Sequence, residues 1–156
     1  ATGAAGEIGH MHVNDDETEP CNCGNCGCLE EYVSATGIVR MAKRKLAKDD
    51  RPSIMRKDDL SAKDVWDAVK AGDTVATEVA DFGWYLGKAM ALVANVSNPE
   101  IFVIGGGVSK AGNVLLDYIQ KYYQKYAFKG CRGALFTLAT LGNDAGIYGA
   151  ARLVLE

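Results

Sequence analysis

Four of the five cysteines in this 156-residue chain fall within eight residues, from Cys21 to Cys28. A cluster this tight cannot form a distributed disulfide framework, and the odd total leaves one thiol over. Cysteines at such short spacing are typical of thiolates that converge on one metal ion, so we expect a zinc knuckle. By spacing alone, Cys23 and Cys26 form the strongest pair. A reduced, oxidisable loop or one local disulfide is the alternative.

The residues around the cysteines leave the ligand set open. Gly24 and Gly27 let the backbone wrap around a single point, and His10 and His12 lie upstream on a predicted strand. Zinc prefers four thiolate or imidazole ligands in a tetrahedron. Three thiolates with one imidazole, or four thiolates, would each satisfy that preference.

The role of such a metal depends on how many ligands the protein supplies. Four protein ligands close the coordination shell and leave no position for a water, so we expect a structural zinc. It would fix the segment that carries Glu7 and His10. A zinc hydrolase is the alternative, and it would need one open position with Glu7 or Glu30 as the base.

Charge and composition argue against several classes of protein. Seventeen basic against 20 acidic residues give a net charge of −3, too mild for nucleic acid or a membrane to be the main partner. No apolar run approaches the roughly 20 residues that span a bilayer. The missing signal peptide and the thiol cluster predict a cytoplasmic protein. The start at Ala1 indicates a processed chain or a piece of a longer one.

Two charged segments are predicted to be exposed to solvent. Residues 14–20 form an acidic loop that holds Asp15, Asp16, Glu17 and Glu19. Eight of the 17 basic residues lie between Arg40 and Lys57, interrupted by acids and without aromatic neighbours. This composition favours the solvated face of a helix over a nucleic-acid patch.

Hydrophobic periodicity predicts an alternation of helices and strands. Helices are expected over residues 29–48 with a break at Gly37, from Ser61 to Gly72, from Asp73 to about Val96, over 113–126 and over 146–155. Strands are expected over 7–13, 101–104 and 134–138. The uniformly apolar run 101–104 suits a strand that is buried on both faces of a parallel sheet. The order indicates an α/β fold.

Three consecutive glycines, Gly105 to Gly107, follow that apolar run and precede a helix. Without side chains, the backbone at this point could lie against a purine or a phosphate. Three glycines also suit a plain tight turn between a strand and a helix.

Two elements together resemble the ROK family of sugar kinases and sugar-responsive repressors. They are Gly6-Glu7-Ile8-Gly9-His10 and the segment from Cys21 through Cys23-Gly24 and Gly27-Cys28 to Leu29-Glu30. The segments 98–109 and 141–151 are also similar to that family, and among its kinases the likeness is greatest to bacterial glucokinases.

The resemblance implies a two-lobed, actin-like (RNase H-like) ATPase fold, with residues 1–156 as the C-terminal lobe and the N-terminal lobe absent from this chain. It implies His10, Cys21, Cys23 and Cys28 as the zinc ligands, with Cys26 at a variable position. It implies Glu7, His10 and Glu30 as the residues that bind the sugar, and the adenosine of ATP beside Gly105, Gly106 and Gly107.

The activity that the resemblance implies is ATP- and Mg²⁺-dependent phosphorylation of glucose to glucose 6-phosphate, by a homodimer. The phosphate loops and the catalytic aspartate of the family lie before this chain, so we expect the chain alone to be inactive. Asp144 is rejected as the base because Gly146 replaces the asparagine of the family's catalytic motif. A sugar-sensing effector domain of a ROK repressor and a zinc-stabilised interaction module without a sugar role are the alternatives.

Overall fold

The structure is a computed structural model that describes residues 2–155. The helices in that range are α1 Glu30–Val33, α2 Ala35–Leu46, α3 Ala62–Lys70, α4 Thr74–Ala80, α5 Gly83–Ser97, α6 Asn113–Tyr126 and α7 Ala145–Leu153. The strands are β1 Ile101–Ile104 and β2 Leu135–Leu138, and 3₁₀ turns span Ile8–His10, Gly107–Ala111, Lys129–Cys131 and Gly142–Asp144. Across these residues, no helix combines the length and the apolar character that a membrane crossing requires.

The two strands pair in parallel, as the sequence predicts, with Ile101 opposite Leu135 and Ile104 opposite Leu138. Helix α6 connects them and covers one face, where Phe102 stacks on Phe136 at 5.0 Å between ring centroids. The expectation that β1 is buried on both faces is wrong for this chain, because the Val103 residue on the other face is 60% exposed.

Helices α5 and α6 pack against each other through small residues on α5. A Cβ atom added at Gly87 would lie 2.6 Å from the Cβ of Tyr122. Helix α6 contributes Leu115, Ile119 and Tyr123 to the core, and each of these side chains is fully buried. Glycine at the crossing therefore sets how closely the two helices approach.

Side-chain caps mark where helices α3 and α4 begin. Ser61 and Asp64 form the predicted capping box at the start of α3. Asp73 accepts hydrogen bonds from the backbone N–H groups of Val75 and Ala76 at 2.9 and 3.0 Å. The predicted helix from Asp73 to Val96 is two helices, because the chain turns at residues 81–82 between α4 and α5.

The N-terminal segment differs most from its prediction. The expected strand over residues 7–13 is a 3₁₀ turn, in which the backbone N–H of His10 donates to the carbonyl of Glu7 at 3.1 Å. Only His12 forms a β-bridge in this segment, antiparallel to Cys28. Met11 and Val13 complete this single bridge through hydrogen bonds with Leu29 and Gly27, whereas residues 8–10 use their backbone groups in the local turn.

Candidate functional site

The cysteine loop folds back onto the segment that follows the 3₁₀ turn. The backbone N–H of Val13 donates to the carbonyl of Gly27 at 2.8 Å, and that of Leu29 donates to Met11 at 2.9 Å. Gly27 has a φ of +71°, and a Cβ added there would lie 2.2 Å from the carbonyl oxygen of Asn14. Glycine is therefore required at this position, both for its conformation and for space.

This fold brings one imidazole and three thiols to a single point. The candidate ligand atoms of His10, Cys21, Cys23 and Cys28 all lie within 4.8 Å of one another. The Sγ of Cys21 is 3.7 Å from the Nδ1 of His10, and the Sγ atoms of Cys23 and Cys28 are 3.5 Å apart. These are the same four residues that the family resemblance implies.

Two residues that spacing placed near the metal lie outside this group. The Sγ of Cys26 lies 3.6 Å from the carbonyl oxygen of Thr18, so Cys23 with Cys26 is not the central pair. The Nε2 of His12 is 2.8 Å from Asp15, a contact that raises the pKa of this exposed histidine. Its Nδ1 is 2.9 Å from the carbonyl oxygen of Cys26.

The chemistry of the four donors fits a zinc ion. Tetrahedral zinc with Zn–S bonds of about 2.3 Å places two sulfur ligands about 3.8 Å apart, close to the separation of Cys23 and Cys28. Cys21 and Cys28 are buried, and burial is the largest cause that raises the pKa of the Cys28 thiol. Three ionised thiols in so small a volume repel one another, and a bound cation removes that cost.

Carboxylates lie on both sides of the His10 ring. The Nε2 atom is 3.9 Å from Glu7, which precedes it by three residues in the 3₁₀ turn. The Nδ1 atom is 3.6 Å from Glu30, the first residue of α1. Glu30 also accepts a hydrogen bond of 2.9 Å from the Cys21 thiol. Side-chain exposures of 66% for Glu7, 34% for His10 and 35% for Glu30 leave all three accessible from solvent.

The glycine segment lies directly after β1 and opens a 3₁₀ turn. Gly106 has a φ of +77°, and nothing lies within 4 Å of a Cβ added at Gly106 or Gly107. Gly107 borders a cavity of about 240 Å³ between this turn and α3, which Trp66 and Lys110 also line. The backbone here is therefore open to a ligand, beside cationic side chains.

Sequence reasoning missed one group of residues beside the site. Glu17, assigned to an exposed loop, has a side chain that is only 4% exposed. It receives two hydrogen bonds from Arg44, at 2.8 and 3.1 Å, from the segment assigned to a solvated face. The sequence has two arginines four residues apart on α2 and an acidic loop upstream of them. It does not indicate which acidic residue the arginines contact.

The chain is similar to one known protein family and to individual known proteins. The ROK family pattern matches residues 1–156. A glucokinase of Halalkalibacterium halodurans is 48% identical over 160 residues, which cover 99% of this chain and 48% of that protein. An N-acetylglucosamine repressor of Escherichia coli O157:H7 is 35% identical and covers 97% of this chain and 37% of that protein.

A solved structure shares the fold. The ROK family glucokinase from Streptomyces griseus, in complex with glucose and AMPPNP, superposes with a TM-score of 0.83 at 32% identity, covering 96% of this chain and 51% of that one. The chain spans about half the length of the glucokinases that it matches. From the family match over its whole length and these similarities, we conclude that the chain belongs to the ROK family.

Proposed function

We propose that this chain is the sugar- and zinc-binding lobe of a kinase that phosphorylates glucose to glucose 6-phosphate with ATP. The observation that carries the proposal is the His10 ring, which has the Cys21 thiol 3.7 Å from Nδ1 and Glu7 3.9 Å from Nε2. The 48% identity to a glucokinase over 99% of the chain supports the choice of reaction and substrate.

In this proposal His10, Cys21, Cys23 and Cys28 hold zinc. The ion supplies a structural cross-link between the 3₁₀ turn and the cysteine loop, and its four protein ligands leave no position for a reacting water. The free thiols of the described chain suit the reducing cytoplasm, where we expect the protein to reside.

Glu7 and Glu30 recognise the sugar in this proposal. Ionised carboxylates accept strong hydrogen bonds from hydroxyl groups, and a hexose presents several hydroxyls side by side. The Nδ1 atom of His10 is 3.7 Å from the Cys21 thiol, so the Nε2 atom, 3.9 Å from Glu7, would remain able to contact a hydroxyl. The metal and the sugar would then share one imidazole, and metal removal would weaken sugar binding.

The nucleotide would lie against Gly105, Gly106 and Gly107. The adjoining cavity of about 240 Å³ is smaller than the roughly 300–1,000 Å³ of a complete ligand pocket, so it suits one part of ATP. Mg²⁺ would come with the phosphates of ATP. We assign the catalytic base and the phosphate loops to the other half of the protein, because the relatives are about twice as long as this chain.

A repressor effector domain is the second candidate, and the 35% identity to an N-acetylglucosamine repressor favours it. The same carboxylates and ring would bind a sugar there without transferring phosphate. The reading frame upstream of Ala1 separates the two candidates. A phosphate loop with an aspartate indicates the kinase, and a helix-turn-helix indicates the repressor.

Glucose titration of the zinc-loaded, full-length protein tests the sugar site. Replacing Glu30 by Gln removes one charged hydrogen-bond acceptor, worth about 1.5–3 kcal/mol, so we expect roughly 10- to 100-fold weaker binding. Glu100→Gln is the matched control, because Glu100 is exposed and its side chain makes no ion pair within residues 2–155. Equal glucose affinity in the Glu30→Gln protein would contradict the assignment.

A further inference from the structure

The acidic loop before Cys21 contains one buried carboxylate. The Glu17 side chain is 4% exposed, and its Oε1 accepts hydrogen bonds from the backbone N–H groups of Thr18 and Glu19 at 3.2 and 3.1 Å. These two hydrogen bonds hold the loop backbone against the Glu17 carboxylate. A carboxylate buried to this extent needs a cationic partner.

Helix α2 supplies that partner. The guanidinium of Arg44 donates to both oxygens of Glu17, at 2.8 and 3.1 Å. Arg40, one turn earlier on the same face, donates to Glu17 at 3.3 Å and to the carbonyl oxygen of Glu31 at 3.0 Å. The bidentate contact with Arg44 fixes both the position and the orientation of the Glu17 carboxylate.

Helix α1 joins the same network through Tyr32. Its hydroxyl donates to Glu17 at 2.9 Å and accepts a hydrogen bond of 2.9 Å from the Asn14 side chain. The Tyr32 residue is 1% exposed, and its ring stacks on Tyr85 at 4.2 Å between centroids. The start of the acidic loop at Asn14 and its middle at Glu17 are therefore tied to one buried hydroxyl on α1.

The position of this network connects it to the metal site. Glu17 lies four residues before Cys21, and Tyr32 lies two residues after Glu30. Cys21 and Glu30 themselves touch, with 2.9 Å between the thiol and the carboxylate. The network thus fixes the two backbone segments that deliver a candidate metal ligand and a candidate sugar ligand.

We propose that Glu17, Arg44 and Tyr32 are positioning residues for the metal centre, which hold the Cys21 and Glu30 segments together and slow the release of the ion. This inference rests on the proposed zinc site. Hydrogen bonds from Arg44 are the main cause that lowers the pKa of Glu17 to about 2, so the contact stays ionic at working pH.

The rate of zinc transfer to an excess of a chelating dye tests the proposal on the zinc-loaded chain. Supporting groups around a metal site typically contribute 10- to 100-fold to metal affinity, so we expect release to be about tenfold faster in Glu17→Gln. Arg44→Gln removes the same contact by replacing the arginine, and it should also speed the release of zinc. The increase in the double variant should be less than the product of the two single effects, because both substitutions remove the Glu17–Arg44 contact, while Arg44→Gln also removes an ion pair of 2.9 Å with Glu19.

Two controls separate positioning from general stability. Asp16→Asn removes an equal charge from the same loop, at a side chain that forms no ion pair in the described part of the chain. Ser61→Ala removes the cap of α3, which costs about 1 kcal/mol of helix stability without touching the loop. Both control proteins should release zinc at the wild-type rate.

Cobalt substitution gives a second readout. The thiolate-to-cobalt absorption band of the Glu17→Gln protein should shift or broaden if Cys21 is held less firmly, whereas the band of Asp16→Asn should not. Zinc release from Glu17→Gln at the wild-type rate, or equally fast release from Ser61→Ala, would overturn the positioning role and leave the zinc site intact. A wild-type chain that binds no zinc would overturn both.

Discussion

At the scale of single residues, the site depends on side chains that lie far apart in the sequence and meet in the folded chain. The three thiols and His10 meet as the family pattern implies. The sequence predicts Glu17 and Arg44 in two separate solvated segments, yet their side chains meet at 2.8 Å. The two residues lie 27 positions apart, so no local pattern pairs them. Whether a charged side chain is buried depends on an ionic partner, and that partner comes close only when the chain folds.

The Glu17 contact predicts a specific loss of stability in acid. The pKa of Glu17 is lowered from 4.5 to about 2, mainly by Arg44, so its contribution is complete above pH 4.5. It is lost as the pH falls toward 2, because the unfolded chain binds the proton first. The difference in unfolding free energy between wild type and Glu17→Gln should therefore shrink over this range.

Urea unfolding followed by circular dichroism at several pH values measures that difference. An excess of chelator in every sample keeps both proteins free of zinc, so the faster zinc release expected of Glu17→Gln does not contribute to the difference. A difference that stays constant from pH 4.5 to pH 2 would show that the Glu17 carboxylate does not carry the effect.

Gly27 gives a second prediction at this scale. Gly27→Ala would place a Cβ 2.2 Å from the carbonyl oxygen of Asn14, so the loop must open and zinc should be lost on purification. Gly24→Ala is the matched control, because Gly24 also has a positive φ of +91° but nothing lies within 4 Å of an added Cβ. It should cost only the backbone strain of about 1–2 kcal/mol and keep its zinc. Zinc measured per chain compares the two.

At the scale of elements, the sequence predicts what local signals specify. Helix α6 spans Asn113–Tyr126, as its periodicity predicts, and Ser61 caps α3. The prediction of a strand over residues 7–13 is wrong, because residues 8–10 form a 3₁₀ turn and His12 alone in this segment makes a β-bridge. The break predicted at Gly37 occurs at Ser34, whose Oγ accepts a hydrogen bond from the Gly37 N–H at 3.0 Å.

The contact between α5 and α6 predicts opposite effects of one substitution at two glycines. Gly87→Ala forces a Cβ to within 2.6 Å of Tyr122, and overpacking of this kind costs about 1–3 kcal/mol. Gly149 lies in the exposed helix α7, and nothing lies within 4 Å of a Cβ added there. Gly149→Ala should therefore raise the free energy of unfolding by up to about 1 kcal/mol. Thermal unfolding compares them, and equal melting temperatures would contradict the packing argument.

At the scale of the whole molecule, every residue of β1 is apolar, although one face of the two-stranded sheet is exposed to solvent. Ile101, Val103 and Leu135 are 46, 60 and 62% exposed. Under the proposal that residues 1–156 are one lobe, the remainder of the protein would cover this face and supply the phosphate loops. The α/β character and the parallel pairing follow from the sequence, but the expected burial of β1 does not.

The same proposal predicts that the 156-residue chain does not phosphorylate glucose alone. A coupled assay for ADP should show no turnover above background, because phosphoryl transfer needs a base and phosphate-binding loops that we assign elsewhere. The full-length protein should be active in the same assay. Turnover by the isolated chain near that of an intact kinase would defeat the assignment.

Elemental analysis of the folded, purified chain tests the zinc centre most directly. The account predicts one zinc ion per chain in the wild type and in Cys26→Ser, and none in Cys28→Ser, because Cys26 lies outside the ligand group and Cys28 within it. A folded wild-type chain without zinc, or zinc lost from Cys26→Ser and retained by Cys28→Ser, would contradict it.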